Sequence, residues 1–162
     1  MPDTRSTAAE SEIVPFRAQD GEAFYVLNRA WLDAHGIYEP ADEEQLADPA
    51  TVIIAPGGAV FIARCGGDVV GTVAIVPHGT GEMELAKLTV VESARGGGLG
   101  RQLVERCLDF ARAAGARRVV LMSNARLAPA VRLYEAMGFE HRPLPSGVKY
   151  ATADVYMVLE LA

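Results

Sequence analysis

The sequence predicts a single mixed α/β domain, on the strength of three observations. Half of its 162 residues are hydrophobic, enough to bury one core without disulfides or metals. Apolar runs at 59–64 and 69–76 flank Gly66, Gly67 and Asp68, the turn chemistry of an antiparallel hairpin. A strand pattern at 82–91, a helix pattern from Leu99 and an apolar run at 118–122 follow within about forty residues, a βαβ unit that closes as a right-handed parallel crossover. An antiparallel start and a parallel continuation make the sheet mixed.

The elements can be justified in order. Residues 1–10 are small or polar with Pro2 and no apolar period, so a loose tail is expected there, with one folded domain over 11–162. Residues 12–17 suit a first strand. Asp20 is placed to cap a helix with Phe24, Leu27 and Trp31 on one face, and Gly36 to end it. Pro40 and the acidic residues after it start a second helix through Ala47. Pro49, Pro56, Gly57 and Gly58 then mark loops, and this region reads as a lid. In the βαβ helix, Leu99, Leu103, Cys107, Phe110, Ala111 and Ala114 share a face before Gly115. A further helix at 128–137 ends at Gly138, and strands are expected at 139–141 and 151–161. No repeat, low-complexity stretch or linker divides the chain.

Bulk properties exclude several functions. A formal net charge of −6 argues against a broad nucleic-acid surface, which must neutralise phosphates, and suits a cationic or neutral amine better. Cys65 and Cys107 lack the spacing of a zinc or redox motif and read as buried thiols. His35, His78 and His141 are scattered between elements as surface histidines, so no metal is expected. With neither a basic–apolar leader nor an apolar run near the roughly 18 residues that cross a bilayer, the expected location is cytoplasmic, with no membrane partner.

The most informative stretch lies between a strand and a helix. From Arg95 through Gly96, Gly97, Gly98, Leu99 and Gly100 to Arg101, glycines let the backbone approach a ligand and leave amides pointing outward, an anion site suited to a pyrophosphate. It fails as a Walker A loop, because Arg101 and Gln102 stand where Lys and Ser or Thr are needed. It also fails as a dinucleotide fingerprint, since no spacing yields Gly-x-Gly-x-x-Gly.

The order Arg95, Gly98, Gly100 does fit Arg-x-x-Gly-x-Gly, and here the chain resembles the coenzyme A loop of the GNAT superfamily of N-acetyltransferases. Glu84-Leu85-Ala86-Lys87-Leu88-Thr89-Val90 resembles that family's fourth strand, and Leu133-Tyr134-Glu135-Ala136-Met137-Gly138-Phe139 its Tyr-x-x-x-Gly-Phe signature. The resemblance is dense from Glu82 to Phe139, and only in element order before that. At Gly97, where many members carry Lys or Arg, the chain departs from the pattern and lacks one cationic contact to the phosphates. The implied fold is the GNAT-like acyl-CoA N-acyltransferase fold, a central mixed sheet of about seven strands flanked by about four helices. The implied activity is acetyl transfer from acetyl-CoA, as acyl-donor substrate, to an amine.

That activity assigns roles. An alkylammonium must lose a proton before it attacks a thioester, and Glu84 matches the family's general base, with Glu82 on the same strand face as the other candidate. The developing oxyanion needs a donor. The resemblance supplies it from main chain near Leu88, where the fourth and fifth strands splay, and implies that Leu88, Thr89 and Val90 hold the pantetheine arm through backbone. Their side chains are accordingly expected to be poor mutational targets. Tyr134 matches the general acid, and Asn124 a residue that hydrogen-bonds pantetheine or the acetyl region, a turn-forming Asn being the alternative.

The expected reaction is direct transfer in a ternary complex, onto a small or amino-acid-like amine. Acetylation of a protein N-terminus or lysine would use the same machinery, and a non-catalytic acyl-CoA sensor would keep the same fold. Trp31, Tyr38 and Glu39 are candidates for shaping an acceptor pocket, whereas Asp42, Glu43 and Glu44 read as a solvated helix start. A homodimer is a candidate assembly, with the final strand as the edge for pairing.

Overall fold

The computed structural model describes residues 11–148 and 150–161; the tail expected at 1–10 lies outside them. Among the described residues the chain forms a seven-stranded mixed sheet and four α-helices. The strands are β1 (Glu12–Pro15), β2 (Ala59–Cys65), β3 (Asp68–Pro77), β4 (Glu82–Val90), β5 (Arg118–Ser123), β6 (Glu140–Arg142) and β7 (Val155–Glu160). The helices are α1 (Gly21–Ala34), α2 (Pro40–Ala47), α3 (Leu99–Ala113) and α4 (Ala128–Ala136).

Strand order is β1-β2-β3-β4-β5-β7-β6. The β2–β3 hairpin and the parallel β4–α3–β5 crossover, both expected from sequence, form its centre. Neighbouring residues of β2 bury themselves on opposite faces. Phe61 and Ala63 join Leu103, Cys107 and Ala111 of α3, while Val60 and Ile62 join Phe24 and Leu32 of α1 and Leu46 of α2. A strand covered on both sides therefore reads as a continuous apolar run.

Several details differ from the sequence reading. Asp20 is assigned to cap α1, but its carboxylate accepts from the Arg17 amide at 2.9 Å and pairs with Arg64, so it closes the turn ahead of the helix. The segment after α2 is a π-helical turn, Ala50–Ile54, that buries Ile53 completely. On α3 the buried stripe runs through Val104 and Leu108, and Ala114 falls beyond the helix and is exposed. The last strand is shorter than expected, because Ala151 and Thr152 form a turn. β7 also lies between β5 and β6, so its edges are occupied; the strands at the sheet's edges are β1 and β6. The final strand is thus not the open edge expected for pairing, since Tyr156, Met157 and Val158 are already paired with β6.

Two irregularities of β4 set up the site. Its register against β3 shifts between Ala86, opposite Ala74, and Thr89, opposite Thr72. Lys87 lies in that bulge with φ of +56°, in the left-handed region that non-glycine residues rarely occupy. On its other side β4 pairs with β5 from Glu82/Arg118 to Leu85/Leu121 and then parts from it, while β5 goes on pairing with β7 through Ser123. The splay implied by the resemblance is present.

Candidate active site

The opening between β4 and β5 widens into a cavity. Its walls include Glu84, Leu88 and Thr89 from β4, Asn124 beyond β5, Tyr134 from α4 and Trp31 from α1. The turn carrying Tyr150 and Thr152 lies opposite. The expected base, the opened main chain and the expected acid therefore share one chamber, although they are spread over fifty residues of sequence.

Each side chain has a local reason for its position. Alternation along β4 turns Met83 and Leu85 into the α3 core and Glu82 and Glu84 to the opposite side. The Glu84 side chain is 13% exposed and that of Glu82 is 23% exposed. Glu82 is held by Arg118 at 3.1 Å and faces His78 at 3.3 Å. Of these two, Glu84 lines the cavity. Tyr134 is buried on α4, edge-on to Phe139 at 5.8 Å, so the glycine turn before Phe139 folds the ring back onto the helix. Burial first, and Cys107 second, raise the Tyr134 pKa and keep the phenol neutral. Burial likewise pushes the Cys107 thiol up, leaving it a poor nucleophile.

The bulge is braced by buried polar groups. Asn28 of α1 donates to the Phe24 carbonyl at 2.9 Å and to Thr72 Oγ1 at 3.0 Å, and accepts from Thr89 Oγ1 at 2.8 Å. Thr72 in turn donates to the Lys87 carbonyl at 2.9 Å. The Thr89 side chain is therefore a structural member, contrary to the expectation that it is dispensable. Lys87 itself points its ammonium at Asp42, with the Tyr150 ring 5.3 Å away. Asp42 is buried, and Glu43 accepts from both Tyr25 and Tyr38. The acidic start of α2, expected to be solvated, is mostly engaged.

Glu39 takes a different place from the one expected. Its carboxylate accepts from the Ala151 amide at 2.7 Å and from the Thr152 amide and hydroxyl at 3.1 and 2.6 Å. It latches the 150–152 turn over the chamber instead of facing a ligand. Tyr38 is spent on Glu43, whereas Trp31 does line the cavity. Asn124 donates to the Thr152 carbonyl at 2.6 Å and accepts from the Arg126 amide at 2.9 Å, the pattern of an Asx turn.

β4 leads from the chamber into the glycine-rich turn. Gly96 and Gly98 have φ of +86° and +81°, and a Cβ built on Gly96, Gly97 or Gly98 would meet no described atom within 4 Å. Open space around glycines with left-handed backbone leaves room for a ligand against the main chain. The first helical bond of α3 runs from Gln102 to the Gly98 carbonyl, so the amides of Leu99, Gly100 and Arg101 precede the ladder and face outward at the positive end of the helix. A Cβ on Gly100 would stand 3.5 Å from Leu133 Cδ2, and Arg95 donates to the Val90 carbonyl at 3.0 Å, which ties the loop to the end of β4. These features fit a pyrophosphate without a metal-binding side chain. Among the described residues no cluster of His, Cys, Asp or Glu could hold a metal, and no helix is long and apolar enough to cross a membrane.

Residues 21–139 match the family model described as the acetyltransferase (GNAT) family. The chain belongs to that family. This GNAT family member is 33% identical over 155 residues to the uncharacterized N-acetyltransferase C1271.07c of Schizosaccharomyces pombe, covering 89% of this chain and 90% of the relative. It is 38% identical over 105 residues to an IAA acetyltransferase of Azospirillum brasilense, covering 64% of this chain and 67% of that one. With N-acetyltransferase family 8 member 2 of Rattus norvegicus it shares 32% identity over 115 residues, 68% of this chain, and spans 51% of that protein's length. Among solved structures, a GNAT acetyltransferase of Staphylococcus aureus superposes with a TM-score of 0.87 at 16% identity, covering 94% of this chain and all of that one. The yncA protein of Salmonella typhimurium, solved with its cofactor acetyl-CoA, gives 0.71 at 21% identity over 95% of each chain. These likenesses establish the GNAT fold.

Proposed function

We propose that the protein transfers an acetyl group from acetyl-CoA directly to the amine of a small, amino-acid-like acceptor. The observation that carries this reading is the chamber in which Glu84, the opened β4 main chain and Tyr134 meet. The amides at 96–101 would hold the pyrophosphate, and the main chain of Leu88, Thr89 and Val90 the pantetheine arm. Acetyl-CoA, when bound, supplies the acetyl group as an activated thioester.

Glu84 removes the proton from the acceptor ammonium. The main-chain amide near Leu88 donates to the carbonyl oxygen as negative charge grows on it. Tyr134 donates a hydrogen bond to the departing sulfur. Because burial raises its pKa, its service is the hydrogen bond more than outright release of its proton. Among the described lining residues the charged groups are Asp42, Glu84 and Lys87, a balance of one negative charge that favours a cationic acceptor. The Glu39 latch over the chamber supports a small acceptor in preference to a peptide lying in an open groove.

The test is release of free thiol from acetyl-CoA against a panel of amines, amino acids and short peptides. Glu84→Gln and Tyr134→Phe are each expected to lower kcat about 100-fold or more with acetyl-CoA affinity little changed. Silence across the small amines, or faster turnover of peptides, would sink the small-acceptor reading.

A further inference from the structure

We propose that His78 relays the proton from Glu84 to solvent, a role that rests on Glu84 being the base. His78 follows directly on β3, and its backbone amide donates to the Glu82 carbonyl at 3.0 Å, which fixes the residue at the base of the β3–β4 hairpin. The imidazole is flanked by two carboxylates. Its Nδ1 lies 3.3 Å from Glu82 Oε2 and its Nε2 lies 3.8 Å from Glu84 Oε2.

Exposure rises along this line, from 13% for the Glu84 side chain to 42% for His78. Glu84 lines the chamber and His78 does not, so the imidazole leads away from the reacting groups toward water. Glu82 is anchored on its other oxygen by Arg118 at 3.1 Å, and Arg118 also lies 3.3 Å from Glu160. An anchored Glu82 orients the ring. Among the described residues, titratable groups near these two carboxylates include the phenols of Tyr150, close to Glu84, and of Tyr156 on β7, close to both.

The proton balance is simple. A neutral imidazole that donates Nδ1–H to Glu82 presents the Nε2 lone pair to Glu84. After Glu84 has taken a proton from the acceptor, its O–H bond breaks and an N–H bond forms at Nε2, restoring the carboxylate. The imidazolium then swings its Nε2 edge toward solvent, the new N–H bond breaks to water or buffer, and the ring returns to the neutral Nδ1–H form. The gap of 3.8 Å is closed by a small carboxylate rotation or one water. A base enclosed under two substrates thus has an exit for its proton that does not require the chamber to empty.

His78→Gln tests the relay in the full-length protein, with both substrates saturating and buffer kept weak. The expected result is a loss in kcat of about tenfold with both KM values and the melting temperature unchanged, restored progressively by added imidazole, while the unmutated protein ignores imidazole. A kcat equal to that of the unmutated protein, or a loss that imidazole does not restore, would overturn the relay. Glu84→Gln measured alongside separates the two ideas. If it is inactive while His78→Gln is fully active, the base stands and the relay falls; if it keeps full activity, both fall.

Discussion

Lys87 illustrates how a single side chain can be held in an unfavourable place. Its ammonium and the carboxylate of Asp42 have side chains 7% and 4% exposed, so each needs the other to offset lost hydration. Lys87→Met leaves Asp42 charged and buried, and is expected to lower the unfolding free energy by about 3–5 kcal/mol in urea titration. Adding Asp42→Asn, which keeps an acceptor for the Glu39 amide at 2.8 Å, should recover most of that loss. Equal stability of the single and double variants would show that the charge pair is not what matters. Neither partner's role was legible beforehand. Asp42 sits in an acidic run that resembles any solvated helix start, and Lys87 turns inward only because of a bulge that leaves no local signature in Ala86-Lys87-Leu88. The shared place of Glu84 and Tyr134 was legible because each sits inside a longer pattern. His78 was not, since its partners are set by hairpin register, although a His four residues before one Glu and six before another across a turn is a signal worth reading.

At the scale of elements, α2 and the 150–152 turn are joined by a titratable group. Burial by itself would raise the Glu39 pKa, but the bonds from Thr152 and Ala151 and the charge of Lys87 outweigh it and leave the value lowered. A carboxylate lowered on folding contributes its full stability above its unfolded pKa of about 4.3, and loses it as pH falls through the lower folded value. Thermal melts between neutral pH and pH 3 should therefore show an acid-side loss that is smaller in Glu39→Gln, which starts less stable at neutral pH. Parallel curves for the two proteins would remove Glu39 from the acid response. The helix, hairpin and crossover positions were readable from periodicity and turn residues. The π-helical turn at Ala50–Ile54 and the early end of β7 were not, because long-range packing and the distant Glu39 carboxylate decide them.

At the scale of the whole molecule, the glycine-rich turn and the chamber act as one site only if β4 connects them. Gly98→Glu places a carboxylate and a Cβ at φ of +81°, in the open space proposed for the phosphates. Calorimetry should show saturable binding of acetyl-CoA and CoA by the unmutated protein, no binding of NADH, and loss of CoA binding by at least about tenfold in the variant. Undiminished binding would move the pyrophosphate elsewhere.

The bulge in β4 also changes the parity of the strand. Ahead of it the odd residues Met83 and Leu85 face α3 and the even residue Glu84 faces the chamber. Beyond it the assignment is exchanged, with Leu88 and Val90 on the α3 side and Thr89 turned toward Asn28 of α1. One surplus residue thus resets the count halfway along a nine-residue strand. Without it, Thr89 would be delivered into the α3 core and Leu88 into the polar brace, and the two ends of β4 could not serve the same side of the sheet.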